Sequence, residues 1–216
     1  MWLISDDDIP RNDSLKEVFE IIKNYPDTSL IHLNYSRFDN LLKKVTAEKM
    51  VGDIYKDIYF TDPSEFLFKP VNKGYFKFLG TNVITMSTDV VNRKKWLEAS
   101  KGLEKFVGHN FIHSFIIFNM IEKYPKIYYV SEPIVRYLSN NHRVWPNDIW
   151  KDYNSVLLGY LEGIGYPGDK IAKMRESQKE YERKEAVIKN TYLSYLYQLL
   201  RPVYARLQII KSKLLN

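Results

Sequence analysis

The sequence predicts an α/β fold, and three observations favour this class. A strand–helix–strand unit opens the chain, because an apolar run over residues 1–5 and strand formers over residues 29–35 flank a helical pattern. Strand and helix patterns then keep alternating to about residue 150, and from Asn147 onwards the pattern is helical only. Alternation of this kind is typical of a sheet covered by helices and disfavours an all-helical domain.

The two earliest helices are predicted from apolar spacing and from caps. Asn12 or Asp13 can cap the first helix, and Pro26 ends it. An Asp-Pro-Ser-Glu pattern from Asp62 marks the start of the second. Between them, residues 37–59 are polar and weakly periodic, so we expect a surface excursion that orders over a ligand. The apolar positions of the first helix follow the i, i+3, i+4, i+7 pattern and are Leu15, Val18, Phe19 and Ile22.

The remaining elements are predicted from apolar periodicity and breaker residues. In chain order they are a strand over residues 76–86, a helix from Ser87 or Thr88 to Ala99, a buried helix over residues 108–124, a strand over residues 126–138 broken at Pro133, a helix from Asn147 to about Gly163, and a helical pattern from Asp169 to the end with a kink at Pro202. The helix over residues 108–124 is apolar nearly all round, and we therefore expect it in the core.

Composition and charge narrow the classes of function. The 216 residues are 45% hydrophobic and 27% charged, as in ordinary globular proteins, and the absence of cysteine excludes disulfides and thiolate metal sites. Of the 32 basic residues, five lie in residues 187–216, which hold none of the 26 acidic ones. The rest of the chain is therefore nearly neutral, which argues against a nucleic-acid enzyme. The basic, tyrosine-rich tail is interpreted as a membrane-surface element or as helices that pack on the domain or a second subunit.

Three consecutive carboxylates, Asp6, Asp7 and Asp8, follow the first apolar run. Ligands of open α/β sheets bind outside the carboxyl ends of strands, so this position favours a site. Hard oxygen ligands there suit Mg²⁺ or Mn²⁺ held together with substrate phosphates. The alternative is a solvated turn in which Asp7 or Asp8 only caps local backbone.

Six segments of the sequence carry a resemblance to a known family. The stretch WLISDDDIP, followed by DSLKEVFEIIKNYPD and SLIHLNYSRF, resembles the central segment of family 2 glycosyltransferases of the GT-A fold. The later segments FLGTNVITMSTDVVNRKKW, FVGHNFIHSFIIFNMI and YYVSEPIVRYLSNNHRVW are similar, in the same order, to parts of bacterial O-antigen and capsule sugar transferases. The resemblance covers residues 1–150. It implies a partial GT-A domain that lacks its N-terminal strands, followed by a helical tail over residues 151–216.

The resemblance also implies roles for the carboxylates. Asp8, with Asp6, would ligate the metal, and Asp6 and Asp7 would lie at the ribose or diphosphate of the nucleotide sugar. Many family members carry a Glu-Asp pair whose acidic member is the catalytic base, and this sequence has no such dipeptide. Glu104 and Glu98 lie in the corresponding region and are the two candidates for the base.

Further binding residues are expected on either side of the last predicted strand. Arg136 and Trp145 stand in an Arg–Asn–aromatic segment that suits a diphosphate or a sugar ring, although an ordinary polar loop fits equally well. His109 lies four residues before His113, and it can face the diphosphate or acceptor. The alternative places one histidine at a helix start and packs the other in the core.

The expected function is transfer of one sugar from a nucleotide-sugar donor to a surface-polysaccharide or lipid-linked acceptor, inverting and metal-dependent. The expected location is the cytoplasm, with peripheral contact to the inner face of the membrane. The resemblance further suggests a fragment whose N-terminal half is missing, inactive by itself. The alternatives are a non-catalytic partner subunit of a complete transferase and another Mg²⁺-phosphate enzyme such as a nucleotidyltransferase. We expect no nucleic-acid partner.

Overall fold

The computed structural model describes residues 1–38, 44–72, 77–138 and 147–177, together with Lys179, Glu180 and Arg183; of residues 147–154 it describes the backbone only. The chain divides into two compact units, Met1–Ala172 and Lys173–Asn216. All elements named below belong to the first unit. In the second, residues 173–177 are helical, and the predicted kink at Pro202 lies outside the described residues. The expected functional division after residue 150 stays a prediction.

The described strands form one mixed sheet, which confirms the α/β class. Its centre is the parallel pair β2 (Leu30–Phe38) and β6 (Ile127–Leu138). β3 (Val45–Ala47) and β5 (Asp89–Val91) lie antiparallel to β2, while β1 (Ile9–Pro10) and β4 (Ile58–Phe60) lie antiparallel to β6. The GT-A topology remains an expectation.

Five α-helices accompany the described strands: α1 (Ser14–Asn24), α2 (Pro63–Leu67), α3 (Arg93–Ala99), α4 (Ile112–Lys123) and α5 (Asn147–Gly163). The prediction of α2 is confirmed, because Asp62 accepts a hydrogen bond from the Ser64 N–H at 2.7 Å and Pro63 occupies the first turn. α4 is buried as predicted, with Phe115, Phe118 and Met120 inaccessible to solvent. None of the described helices has the length and apolarity that crossing a bilayer requires.

Two segments differ from their predicted structure. Residues 79–84, expected within a strand, form a 3₁₀ helix (Leu79–Ile84) in which Gly80 approaches the backbone of Leu67. The expected helix start at Ser87 or Thr88 is also wrong. A second short 3₁₀ turn (Met86–Thr88) leads into β5, and α3 begins only after Asn92, whose side chain accepts hydrogen bonds from the N–H groups of Lys94 and Lys95. Apolar runs without clear periodicity fit a strand and a buried turn of helix equally well.

The expected break at Pro133 is a local shift in β-sheet register. β6 continues through Pro133, but its pairing with β2 skips residues on either side of the Asn34–Pro133 pair. A proline has no N–H to donate to the ladder, so the irregularity falls where the ladder loses a donor. The buried Asn34 amide replaces the missing bonds, because it donates to the carbonyls of Val51 and Ser131.

The first helix packs differently from its sequence pattern. Its buried residues are Ser14, Val18 and Ile21, whereas Leu15, Phe19 and Ile22 are exposed. Val18 and Ile21 join β2 and β6 side chains in one core cluster. Asp13 is the N-cap residue but makes no side-chain capping bond; its carboxylate accepts from the Arg11 guanidinium at 2.5 Å.

Candidate functional site

The aspartate triplet lies in a tight turn, and the structure corrects its predicted setting. The segment before it, predicted as a strand over residues 1–5, is not one of the named strands. Met1 exchanges backbone hydrogen bonds with Val91 and Trp2 forms a bridge to Val90, while the centre of the sheet is occupied by β2 and β6. Those two strands have longer runs of strand-forming residues, which favours them at the centre of the sheet. The N-terminal segment instead starts beside β5 and runs through the triplet into β1.

Asp8 is the anchored member of the triplet. Its side chain is buried and accepts a hydrogen bond from the Leu138 N–H at 3.4 Å. Burial raises the pKa of Asp8; hydrogen bonds from Ser87 and Leu138 oppose that rise, and the carboxylates of Asp7 and Asp6 add to it. The Asp8 anion is therefore held in place but is short of positive charge.

Ser87 holds this turn to the rest of the fold. Its hydroxyl accepts from the Ser5 N–H at 2.9 Å and bonds the Asp8 carboxylate, while its carbonyl accepts from the Trp2 indole N–H at 2.9 Å. The sequence predicted Ser87 only as a helix cap. No local pattern distinguishes a serine that supports a carboxylate some eighty residues away, so this role depends on tertiary contact.

The other two carboxylates lie nearer to solvent. Asp7 is half-buried and accepts from the Ser5 hydroxyl at 2.5 Å. Asp6 is exposed at the tip of the turn. The triplet thus combines a fixed carboxylate, a supported one and an accessible one within three residues.

The structure places the backbone of Arg136, a predicted binding residue, next to the triplet. It pairs with Ile9 in the β1–β6 register, directly after Asp8 in the chain. The residue is exposed, and its guanidinium lies 5.6 Å from the centre of the Phe38 ring. Trp145 lies outside the described residues, so its predicted role stays a prediction.

The two histidines follow the alternative reading of their spacing. His109 precedes α4 in a turn, where its Nδ1 accepts from the Phe111 N–H at 3.2 Å and its ring packs on Phe115. His113 lies inside α4 with Nε2 3.1 Å from the Ile84 carbonyl, and burial lowers its pKa. A neutral ring that donates to a carbonyl fits this position. His109 therefore lies just before the helix and His113 within it, while binding by His109 stays a prediction.

Neither candidate base is buried. Glu98 is exposed on α3 and accepts a hydrogen bond from the Tyr124 hydroxyl. Glu104 begins a short 3₁₀ helix (Glu104–Phe106), and its carboxylate accepts from the Gly102 N–H at 3.1 Å. The backbone N–H groups of Glu104 itself and of Gly102 lower its pKa. A lowered pKa weakens a general base until an acceptor hydroxyl displaces these bonds.

The carboxylate oxygens of the turn suit a magnesium-type cation, although they do not form a complete coordination shell. Among the residues described, no three His, Asp or Glu side chains converge as a ready-made metal site. Mg²⁺ commonly takes only one or two carboxylates and completes its shell with water and substrate phosphates. Asp8 and Asp6 can supply such a pair, and a cation would offset the burial and, to a smaller degree, the neighbouring carboxylates that raise the pKa of Asp8.

Comparison of the chain with models of known protein families and with curated proteins finds no match.

Proposed function

We propose that the chain is a metal-dependent glycosyltransferase of the GT-A type. It would move one sugar from a nucleotide-sugar donor to a surface-polysaccharide or lipid-linked oligosaccharide acceptor. The observation that carries the proposal is the aspartate turn, where Asp8 is anchored and under negative charge while Asp6 reaches solvent. Carboxylate oxygens that range from buried to exposed suit a divalent cation that also binds a diphosphate.

Each residue of the turn has a distinct part in this proposal. Asp8 and Asp6 ligate Mg²⁺ or Mn²⁺, which when bound neutralises the charge that develops on the departing nucleoside diphosphate. Asp7 supports the turn through Ser5. Arg136 pairs with Ile9, the residue after Asp8, in the β1–β6 register, and its guanidinium would bind phosphate oxygens.

Inversion requires a base on the acceptor side. The acceptor hydroxyl forms a bond to the anomeric carbon as the bond to the diphosphate breaks on the opposite face, and a carboxylate takes the hydroxyl proton. Glu98 and Glu104 stay the two candidates for this carboxylate. His109 and Trp145 stay candidates for donor or acceptor contacts.

Binding of Mn²⁺ to the purified full chain tests the proposal without assuming turnover. We expect electron paramagnetic resonance to show a Mn²⁺ site that tightens when a nucleoside diphosphate is added. Asp8→Asn and Asp6→Asn should each weaken it at least about tenfold, because each removes a ligand charge. Asp169→Asn, which neutralises an exposed carboxylate elsewhere, is the matched control.

Equal Mn²⁺ affinity in the wild type, Asp8→Asn and Asp169→Asn would reject the metal site. A turnover assay with the same proteins separates the reaction classes. Release of a nucleoside diphosphate from a nucleotide sugar supports glycosyl transfer, whereas release of pyrophosphate from a nucleoside triphosphate would indicate a nucleotidyltransferase instead.

A further inference from the structure

Helix α1 carries three exposed apolar side chains that form a stripe along its surface. Leu15 is 61% exposed, Phe19 66% and Ile22 43%, although the helix buries Ser14, Val18 and Ile21 on its core side. Successive residues turn by about 100° around a helix, so Leu15, Phe19 and Ile22 form a stripe next to the buried face rather than opposite it. We call these three side chains the α1 stripe. Leu15 and Phe19 are the more exposed members, and Ile22 also lines a neighbouring cavity.

Charge is ordered around the same helix. At about 100° per residue, Lys16 and Lys23 lie about 40° to 60° beyond Phe19, on the side away from the core. The acidic residues Asp13, Glu17 and Glu20 lie further round, at about 100° to 160° from Phe19. The stripe is therefore bordered by lysines, and the carboxylates of the helix are turned away from it.

The other border of the stripe is an open cavity of about 230 Å³ with basic residues at its rim. Apolar side chains form most of its wall, and Arg93 and Lys94 complete it. The hydroxyl of Thr28, which also lines the cavity, is buried and has no hydrogen-bond partner. The apolar wall consists chiefly of Ile22, Tyr25, Ile31, Val90 and Val91.

We propose that the α1 stripe and its two basic borders form a docking surface for an anionic lipid bilayer. Exposed Leu, Ile and Phe side chains flanked by lysines and arginine are the features of interfacial membrane-binding helices, whose affinity combines buried apolar area with attraction to anionic lipids. A second copy of the chain fits less well. A two-fold pairing of α1 stripes would bring Lys16 and Lys23 of one copy towards Arg93 and Lys94 of the other. This docking surface is independent of the proposed glycosyl transfer and of the basic tail.

Vesicle co-sedimentation of the full chain tests the docking surface. We expect binding to vesicles of phosphatidylcholine with phosphatidylglycerol and much weaker binding to phosphatidylcholine alone. The Lys16→Gln/Lys23→Gln variant should bind about 25-fold more weakly, since each basic residue near an anionic surface contributes about a factor of five. Phe19→Ser should weaken binding about tenfold, because it removes an inserting ring.

Matched variants keep the test specific to this surface. Val107 is 75% exposed, so Val107→Ser removes an equally exposed apolar side chain elsewhere. Lys101→Gln/Lys179→Gln removes two exposed lysines outside the stripe. Both controls should bind the anionic vesicles like the wild type. All these positions are exposed, and unfolding curves should therefore coincide.

Three results would overturn the proposal. The wild type would bind both kinds of vesicle equally or neither; the stripe variants would bind like the wild type; or sedimentation velocity would show a dimer that Phe19→Ser dissociates, in the absence of vesicle binding. The last result would assign the stripe to a second copy of the chain.

Discussion

The imidazole of His32 and the carboxylate of Asp89 meet inside the sheet, with Nδ1 2.7 Å from Oδ1. The two residues are register partners on β2 and β5, and both are buried. The second carboxylate oxygen of Asp89 has no hydrogen-bond partner. A buried pair of this kind is sensitive to the loss of either member, because the remaining polar group keeps its desolvation penalty.

Removing one member of the pair should destabilise the fold more than removing both. His32→Leu leaves the Asp89 carboxyl buried without its imidazole, and we expect the free energy of unfolding to fall by about 3–5 kcal/mol. His32→Leu/Asp89→Val replaces both groups with apolar side chains and should recover part of this loss. Urea unfolding at neutral pH, followed by circular dichroism, measures the difference; a double variant less stable than His32→Leu would contradict the expectation.

The same pair predicts a pH dependence of stability. Burial raises the pKa of Asp89 from 3.8 to about 6, opposed only by the hydrogen bond and charge of His32. The folded state therefore keeps the proton of Asp89 to higher pH than the unfolded state. Relative to Asp89→Asn, the wild type should be most stable below the unfolded pKa and should lose on the order of 3 kcal/mol as the pH rises through the folded pKa. Urea unfolding of both proteins across this pH window measures it; a constant difference would refute the assignment.

Asn34 should be intolerant of an apolar replacement of similar size. Its side chain donates to the carbonyls of Val51 and Ser131 and accepts from the N–H of Val51. Asn34→Leu leaves these backbone groups unpaired at the register shift of β6, and each buried unpaired group costs about 1–3 kcal/mol. We expect the urea midpoint to drop sharply, while Asn110→Leu at an exposed position leaves it nearly unchanged. Similar midpoints for the two variants would contradict this role.

Two glycines should respond to alanine in opposite directions. A Cβ at Gly80 would lie 2.5 Å from the Cα of Leu67, so Gly80→Ala forces the 3₁₀ helix away from α2. Such overpacking costs about 1–3 kcal/mol. Gly159 lies within α5 with open space around its Cα, and Gly159→Ala should stabilise by about 1 kcal/mol through helix propensity. Thermal unfolding of both variants checks the signs, and a destabilised Gly159→Ala would be inconsistent with this packing.

Ser87 should affect metal binding by positioning Asp8 rather than by ligating the metal itself. Ser87→Ala removes the hydroxyl that bonds Asp8 and the Ser5 N–H. We expect Mn²⁺ affinity to fall about 10–100-fold, as for other residues that orient a ligand. Ser87→Thr keeps a hydroxyl and should retain most of the affinity, and Ser100→Ala, directly after α3, is a control. If Ser87→Ala lost stability but kept Mn²⁺ affinity, its role would be structural only.

Several elements were readable from the sequence because their signals are local. The start of α2 depends on Asp62, Pro63 and Glu65, which act within one turn. α4 is apolar nearly all round and has to be buried whatever surrounds it. β2 and β6 are long runs of strand formers that needed no knowledge of their partners.

The misassigned elements depend on packing between distant residues. The helix pattern of α1 is correct, but which apolar residues are covered follows from the angle at which the helix meets the sheet, and Phe19 lies outside that contact. Residues 79–84 fit a strand by composition, and they adopt a 3₁₀ helix because Gly80 can approach Leu67. Neither outcome can be predicted from a short stretch of neighbouring residues.

The sequence by itself determined the α/β class, the cap of α2 and a cluster of three carboxylates suited to a divalent cation. These properties are set by neighbouring residues, through backbone preference and local charge. Only the tertiary structure decided that Asp8 is anchored by Ser87 and Leu138, that Arg136 pairs with Ile9 next to it, and that Leu15, Phe19 and Ile22 of α1 are exposed. Those relationships join residues far apart in the chain, and contact energies between such residues exist only once the sheet has formed.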